Sequence, residues 1–580
     1  MKTQDLYTTA GESLKGTSWE AYPRPQLRRQ EWLCLNGQWS LRVSDKSEKM
    51  DSGTDREMTK SGSGSAMPIL VPFCPESLLS GYKGSIGYGV PLRYSRSFRV
   101  PEHWTGKRII LHFGAVGNRC EVYVNRKKAG EHANGYLPFE IDITEALTAA
   151  EDGENMLEVS VVNDLSGILP TGKQRIKRGG MWYTPVSGIW QTVWLEPVAK
   201  EHITGLRIDT DMAGADIQVS GINEGTVICE GKEYSLRNGK VRIEPEDIRL
   251  WSPETPNLYH FTIKSAEDLA ESYFALRSLT IKEYNGIKRL CLNDKPYFFN
   301  GLLDQGYYSD GLYTPAVPEE YERDIRAMKE LGFNTLRKHI KIEPEQFYYD
   351  CDRLGMAVFQ DMVNNGGYSF FRDTLLPTIG LMGRKDRRLH KDKAARNEFL
   401  NAMDQTVELL RNHPCICYWT IFNEGWGQFG ADEAYERLKA LDGSRFIDAT
   451  SGWFHQSKSD VDSSHIYFKK LRLGARRELP QVLSEFGGYV YKEEKHSYNL
   501  EKTYGYRILS DREDYKEAVR KLYKDELLPL VKEGLCAAIY TQVSDVEDET
   551  NGLLTFDRKV CKIKPDEIKD IMEMLNEEMG

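Results

Sequence analysis

No apolar run in these 580 residues approaches the length of a membrane-spanning helix. Positive charge is not in excess either. Lys and Arg number 77 against 87 Asp and Glu, a net charge of −10, which removes the electrostatic case for nucleic acid or an anionic membrane as partner. The 10 cysteines are scattered, with no C-x-x-C and no zinc-like Cys/His spacing. The one close pair, Cys415 and Cys417, stands too near in sequence for an easy disulfide. The segment from Met1 to Gly16 lacks the apolar core of a secretory signal. Together these absences predict a reduced, cytoplasmic protein. Among the 11 histidines there is no H-x-H and no H-E-x-x-H, so a metal-dependent barrel hydrolase would lack its ligand cluster.

What is present describes a globular chain of several domains. Hydrophobic residues make up 40% and charged residues 28%, outside the disordered range. The length calls for about three to five domains. Tyrosine leads the aromatics, 31 against 21 Phe and 11 Trp. A flat apolar ring with a hydroxyl suits both sheet cores and surfaces that stack on sugars.

Three grammars follow one another along the chain. Residues 1–198 read as short alternating strands with turn signals, an all-β sandwich; examples are Gln38–Val43, Arg108–Phe113 and Leu157–Val162. Within it, Asp45 to Ala66 is polar and rich in Ser and Gly, the composition of a loop. Residues 199–283 hold a second set of strands, among them Ile217–Ser220 and Tyr259–Ile263, sized for an immunoglobulin-like sandwich. From residue 284 to 580 strand-like runs alternate with helical ones. The strand candidates are Tyr297–Phe299, Asn334–Arg337, Met356–Gln360, Ile416–Ile421, Arg445–Asp448, His465–Tyr467, Val482–Ser484 and Ala537–Tyr540. Eight parallel βα units over that length predict a (β/α)8 barrel with insertions.

In such a barrel, reactive groups stand at the C-terminal ends of strands. The fourth strand candidate runs into Asn423-Glu424-Gly425-Trp426, and the seventh into Glu485-Phe486-Gly487-Gly488. Two carboxylates facing each other across a narrow mouth meet the requirement of glycoside hydrolysis: one group delivers a proton to the leaving oxygen, the other attacks or stabilises the anomeric carbon. Asn423 can bind a neighbouring sugar hydroxyl, and Trp426 offers a stacking face. Asp361, Asn364 and Asn365 follow the third strand and can bind hydroxyls. Tyr540, Gln542 and Asp545 follow the eighth as candidate pocket walls. The acidic run Asp545–Glu549 lacks cation-loop spacing and reads as a solvated loop. The insertion from Tyr368 to Lys393, on the third βα loop, is placed to shape the aglycone side.

These residues carry a resemblance. Trp182-Tyr183-Thr184-Pro185-Val186-Ser187-Gly188-Ile189-Trp190-Gln191, Gly332-Phe333-Asn334-Thr335-Leu336-Arg337, Cys351-Asp352-Arg353-Leu354-Gly355, Asn423-Glu424-Gly425-Trp426 and Ser484-Glu485-Phe486-Gly487-Gly488 resemble glycoside hydrolase family 2, the β-galactosidase, β-glucuronidase and β-mannosidase group, over nearly the whole chain. The resemblance implies a jelly-roll sandwich, an immunoglobulin-like sandwich and a catalytic barrel, in that order. It implies a retaining exo-glycosidase with Glu424 as general acid/base and Glu485 as nucleophile, their carboxyl groups about 5 to 5.5 Å apart. Arg337 looks like the family arginine that contacts the nucleophile, Tyr467 like its tyrosine partner, and Asp164 like a first-domain aspartate that reaches the sugar; His465 shares the end of strand six with Tyr467.

Two departures bear on substrate. Lys338-His339-Ile340-Lys341 replaces the His-Tyr-Pro run of galactosidases, so His339 would supply its sugar contact from a shifted position. The Asn-x-Lys signature of glucuronidases is not evident, although Lys338 and Lys341 stand near the end of strand two. The expected substrate is a terminal β-galactoside, followed by a β-glucuronide, β-mannoside or α-L-arabinoside. No organic cofactor is required, a bound metal would be accessory, and a homo-oligomer is compatible with the family. The rival of a different class is a carbohydrate-binding protein with an inactive barrel, against which both carboxylates and Tyr467 are retained.

Overall fold

The structure is a computed structural model that describes residues 2–44, 65–148, 153–378 and 385–577. Of the polar stretch Asp45 to Ala66, residues 45–64 lie outside the described residues, as do 379–384 of the insertion.

Alternation of apolar and polar side chains builds the first domain. Glu154–Val162 alternates exposed or half-buried residues with buried ones along its length and pairs antiparallel with Pro91–Arg99 on one side and Arg119–Val124 on the other. This six-stranded sheet packs against a four-stranded one formed by Leu33–Cys34, Val193–Val198, Arg108–Phe113 and Phe139–Asp142. Trp39, Leu41, Tyr94, Leu111, Phe113, Val122 and Val161 fill the space between them. In the second domain seven antiparallel strands, from Gly205–Thr210 to Leu269–Phe274, form one continuous sheet. Side chains from both ends of that sheet, Ile208 and Phe274 among them, share one core with Val227 and Phe261, so the sheet folds over on itself. A hairpin, Leu279–Tyr284 with Ile287–Leu292, spans the expected boundary at residues 283 and 284 and leads into the barrel.

The barrel strands are β1 (Phe299–Asp304), β2 (Thr335–Lys338), β3 (Ala357–Asp361), β4 (Ile416–Asn423), β5 (Phe446–Ser451), β6 (Asp462–Ile466), β7 (Gln481–Gly487) and β8 (Leu535–Thr541). All pair in parallel in the order β5-β4-β3-β2-β1-β8-β7-β6. Each overlaps its sequence candidate, most of them starting or ending within a few residues of it. The first is displaced furthest, because Asn300 and Gly301 interrupt the apolar run that continues through Leu303. Phe299 of β1 meets Phe359 of β3 and Phe446 of β5, with ring centroids 5.4 and 6.3 Å away. Contact between alternate strands is the signature of a side-chain layer filling the barrel interior. The polar strand ends stand on this apolar floor.

Segments from outside the barrel reach it. Near the N-terminus, the Thr8 N–H donates to Asp310 at 2.8 Å and the Trp19 indole donates to the Pro315 carbonyl at 2.9 Å. The first domain sends residues 164–187 across the mouth, where Thr171 N–H donates to the Asn364 carbonyl at 3.0 Å and Gly366 N–H to the Gly167 carbonyl at 2.9 Å. No helix among the described residues is long and apolar enough to cross a membrane.

Candidate active site

Glu424 follows the last residue of β4, and its backbone is forced into the left-handed region, φ 51°. Its N–H still continues the ladder, donating to the Ser451 carbonyl of β5 at 3.0 Å. Gly425 and Gly427 carry on at positive φ, folding the chain back so that Trp426 N–H reaches the Asn423 carbonyl at 2.9 Å. Backbone strain of this kind persists where surrounding structure holds a side chain in a required place. Glu485 lies within β7, opposite His465 in the β6 register. Beyond it Gly488 has positive φ, and a side chain there would strike the Tyr506 ring, 2.3 Å from where a Cβ would be.

The two carboxylates and the His465 imidazole form one cluster, with a carboxyl oxygen of each Glu and a ring nitrogen all within 4.8 Å of one another. His465 Nδ1 stands 2.8 Å from Glu424 Oε1, and its Nε2 is 3.7 Å from Glu485 Oε1. Glu485 is held from both ends. Arg337 Nη1 donates to its Oε1 at 3.0 Å, and the Tyr467 hydroxyl donates to its Oε2. Burial works against its charge, but His465 and Arg337 outweigh burial and lower the carboxyl to about 2. Glu485 is therefore ionised at neutral pH.

Arg337, 1% exposed at the end of β2, ties four strands together. It donates to Asp361 Oδ1 on β3 at 3.0 Å, to Asn423 Oδ1 on β4 at 2.8 Å, and to the Ser484 carbonyl on β7 at 2.9 Å. Because Arg337 occupies the Asn423 carbonyl oxygen, the Asn423 Nδ2 is the group left over. It is buried and has no partner among the described residues, a donor held ready for a ligand. Asp361 spends its second oxygen on His339 Nδ1, at 2.8 Å. Burial above all lowers the His339 imidazole to about 4, so at neutral pH Nδ1–H donates to Asp361 and Nε2 is left as an acceptor.

The cavity is lined by Leu303, Gln305, His339, Asn423, Glu424, Trp426, Tyr467, Glu485, Tyr506, Thr541 and Glu549 of the barrel, with Lys173 and Met181 of the first domain. Six sequence candidates thus line it: Glu424, Glu485, Asn423, His339, Trp426 and Tyr467. Arg337, His465 and Asp361 stand directly behind and act on it through the bonds described above; Asp361 has both oxygens engaged within the protein.

The remaining candidates lie away from the cavity, Asn365, Gln542 and Asp545 among them. Asp164 stays within the first domain, bound to Arg119 at 3.2 Å, Tyr88 at 3.4 Å and the Ser166 N–H at 2.9 Å. Asn364 is joined to the first-domain loop through its backbone carbonyl, which accepts from the Thr171 N–H. Tyr540 points the other way from Thr541, as alternation along β8 requires, and packs against Phe486 and Tyr523 with centroids 5.6 and 6.1 Å away. Lys338 and Lys341 are also withdrawn. Lys338 binds Asp304 at 2.6 Å and Glu343 at 2.7 Å, and Lys341 binds Glu343 at 2.8 Å. Trp426 lines the cavity, but much of its ring is already covered by Trp182, 5.2 Å away, and by the Lys173 ammonium at 4.9 Å.

The acidic run Asp545–Glu549 is buried throughout, not solvated. Each carboxylate is met by a distant partner. Asp545 pairs with Lys562 at 2.6 Å, and Glu547 with Arg178 at 3.0 Å and the Thr184 N–H at 3.0 Å. Asp548 accepts from Asn499 at 2.7 Å and lies 3.4 Å from Arg178; Glu549 accepts from the Tyr183 hydroxyl and from Asn551 at 3.2 Å. The run fastens the first-domain loop to the barrel. Lys173, Met181 and Glu549 escaped the sequence reading because each reaches the cavity through these long-range pairings.

Residues 87–197 match the domain family described as "Glycosyl hydrolases family 2, sugar binding domain", and residues 285–507 match "Glycosyl hydrolases family 2, TIM barrel domain". The chain belongs to glycosyl hydrolase family 2. Among sequence relatives in this family, a β-galactosidase of Thermoanaerobacter pseudethanolicus is 25% identical over 355 residues, 57% of this chain and 44% of the relative. A β-glucuronidase of Bacteroides fragilis is 26% identical over 429 residues, 68% of this chain and 56% of the relative. The family 2 chain thus spans about half the length of these relatives. Among solved structures, a β-D-glucuronidase of Dictyoglomus thermophilum shares the fold with a TM-score of 0.72 and 17% identity, covering 96% of this chain and 98% of that one. A β-galacturonidase of Eisenbergiella tayi gives a TM-score of 0.65 at 18% identity, with 95% and 99% covered.

Proposed function

We propose that this family 2 protein is a retaining exo-glycosidase that removes a terminal β-linked sugar, a β-galactoside in the first instance, by double displacement. The carrying observation is the approach of Glu424 and Glu485 to within 4.8 Å of each other's carboxyl oxygens. Retention needs a short gap, about 5 to 5.5 Å between the carboxyl groups, whereas inversion needs about 6.5 to 9.5 Å to admit a water.

In the first step Glu485, kept ionised by Arg337 and Tyr467, attacks the anomeric carbon while Glu424 gives its proton to the departing glycosidic oxygen. The products are a covalent glycosyl ester on Glu485 and the free aglycone. In the second step Glu424 takes a proton from water, whose oxygen attacks the same carbon and releases Glu485. His465, bonded to Glu424 Oε1, fixes the orientation of the acid/base. Asn423 Nδ2 and His339 Nε2 offer the sugar one donor and one acceptor. The reading calls for no organic cofactor.

The test is trapping. An activated 2-deoxy-2-fluoro glycoside should label the peptide containing Glu485 by one glycosyl unit, and the first sugar released from an unmodified β-glycoside should be the β-anomer. An α-anomer as first product, or a label on another carboxylate, would overturn the reading. A 4-nitrophenyl panel of β-galactoside, β-glucoside, β-mannoside, β-glucuronide, β-galacturonide and α-L-arabinosides names the sugar.

A further inference from the structure

Lys173 and Glu549 are opposite charges on one wall of the cavity. Both are nearly sealed from solvent, at 7% and 2% exposure. Burial raises the Glu549 carboxyl, and the Lys173 charge together with the Tyr183 and Asn551 bonds works against that, yet Lys173 and Glu549 do not come within ion-pair distance. The Lys173 ammonium rests over the Trp426 ring, 4.9 Å from its centroid, and itself forms no hydrogen bond or ion pair among the described residues. Glu549 accepts one bond at each oxygen, from Tyr183 and from Asn551, which leaves lone pairs on both. An ammonium that lines a cavity wall without a hydrogen-bond partner is placed for a ligand to complete it.

We propose that a sugar hydroxyl fills the gap between Lys173 and Glu549, and that this pair selects a neutral glycone over a uronic acid. The inference rests on the glycosidase reading and names the substrate class of the same site. A hydroxyl is at once a donor and an acceptor, so it gives its proton to Glu549 and receives one from Lys173. A carboxylate only accepts. It would satisfy Lys173 but turn its own charge on Glu549, with ionised Glu485 on the same cavity, and like charges placed together in a desolvated site are strongly disfavoured. The lysine alone would favour a uronate; the paired glutamate reverses the preference.

The decisive experiment compares kcat/KM for sugar pairs differing only at C6, 4-nitrophenyl β-galactoside with β-galacturonide and β-glucoside with β-glucuronide. The wild type should favour the neutral member of its better pair by about 100-fold or more. Glu549→Gln should lower the neutral rate and shrink that ratio at least about tenfold, because the amide no longer repels a carboxylate. Lys173→Met should lower both rates, the uronide's more. A wild-type preference for the uronide, or a ratio in Glu549→Gln within about twofold of wild type, would overturn the inference while leaving the glycosidase reading intact if Glu485→Gln is inactive. Should no glycoside be turned over, the glycosidase reading fails separately. The pair is then tested by calorimetric titration with galactose and galacturonate, where binding without preference for the neutral sugar overturns it. Thermal unfolding of both variants checks that they remain folded, and the lysine variant keeps the test open should the glutamate variant not fold.

Discussion

Arg337 Nη1 lies 3.0 Å from Glu485 Oε1, and the same guanidinium holds Asp361 Oδ1 at 3.0 Å. One cation buried in the barrel thus neutralises two buried carboxylates from different strands. Removing it would leave both without their guanidinium, a loss of about 3 to 5 kcal/mol for a broken buried pair. Arg337→Met should therefore unfold at lower denaturant. In whatever folded enzyme remains, the acid limb of the kcat/KM profile should move to higher pH, because Glu485 then takes up a proton more readily. An unchanged acid limb would show that Arg337 is structural only.

Glu485 itself makes a stability prediction with a definite sign. Its folded value of about 2 lies below the ordinary glutamate value of about 4.3. Between those values the unfolded chain binds the proton and the folded chain does not, so the contribution is fully present above about pH 4.3 and is lost as pH falls toward 2. Urea midpoints of the wild type should fall more steeply than those of Glu485→Gln from pH 5 to pH 3. Parallel curves would contradict the depressed value. The same variant should lose about 10⁴-fold or more in turnover of an activated glycoside.

Glu424 supplies a proton only when the leaving group needs one. Glu424→Ala should lower hydrolysis of a natural disaccharide about 10²- to 10⁴-fold and spare 4-nitrophenyl or dinitrophenyl glycosides much more. Added azide should restore part of the rate and yield a glycosyl azide, since a small anion then performs the second attack without a general base. Equal losses on good and poor leaving groups would remove Glu424 from the acid/base role.

The barrel and its two carboxylates were legible because strand ends carry position in their sequence: an apolar run such as Ile416–Phe422, buried on both faces, stops abruptly at Asn423-Glu424. The wall of the cavity was not. The Tyr183 and Glu549 side chains meet across 366 residues, and no local period records such a pairing. Charge alone misled at Asp545–Glu549, since a run of carboxylates reads as solvated until Lys562, Arg178 and Asn499 are seen to meet it. Tyr540 misled for a simpler reason, a one-residue offset that places Thr541 inward and Tyr540 outward.

That offset is testable by itself. The Tyr540 ring lies among Phe486, Tyr523 and the helix layer, away from the cavity. Tyr540→Phe keeps the ring and should change kcat and KM by less than about twofold, with stability within about 1 kcal/mol of wild type. A large rise in KM would return Tyr540 to the substrate site.

Arg178 tests whether the first domain takes part in turnover or only covers the barrel. Its guanidinium joins Glu547 at 3.0 Å and Asp548 at 3.4 Å, and with the Thr184 and Tyr183 bonds it pins the loop that carries Lys173 and Met181. Arg178→Ala leaves Glu547 with its Thr184 N–H and Asp548 with Asn499, so neither carboxylate is stranded. Neither sandwich nor barrel core is touched, yet two buried carboxylates lose their cation, so the unfolding temperature should fall while the protein stays folded. The loop loses its ionic anchor, and displacement of side chains that position a sugar costs rate out of proportion to distance, about 10- to 100-fold in kcat/KM. The loss should fall mainly on KM, with Arg178→Lys recovering part of it as a point charge without the planar fork. A loop that only shields the barrel would instead leave kcat/KM unchanged in Arg178→Ala, and the contribution of the first domain would then rest on Tyr183 and Thr184.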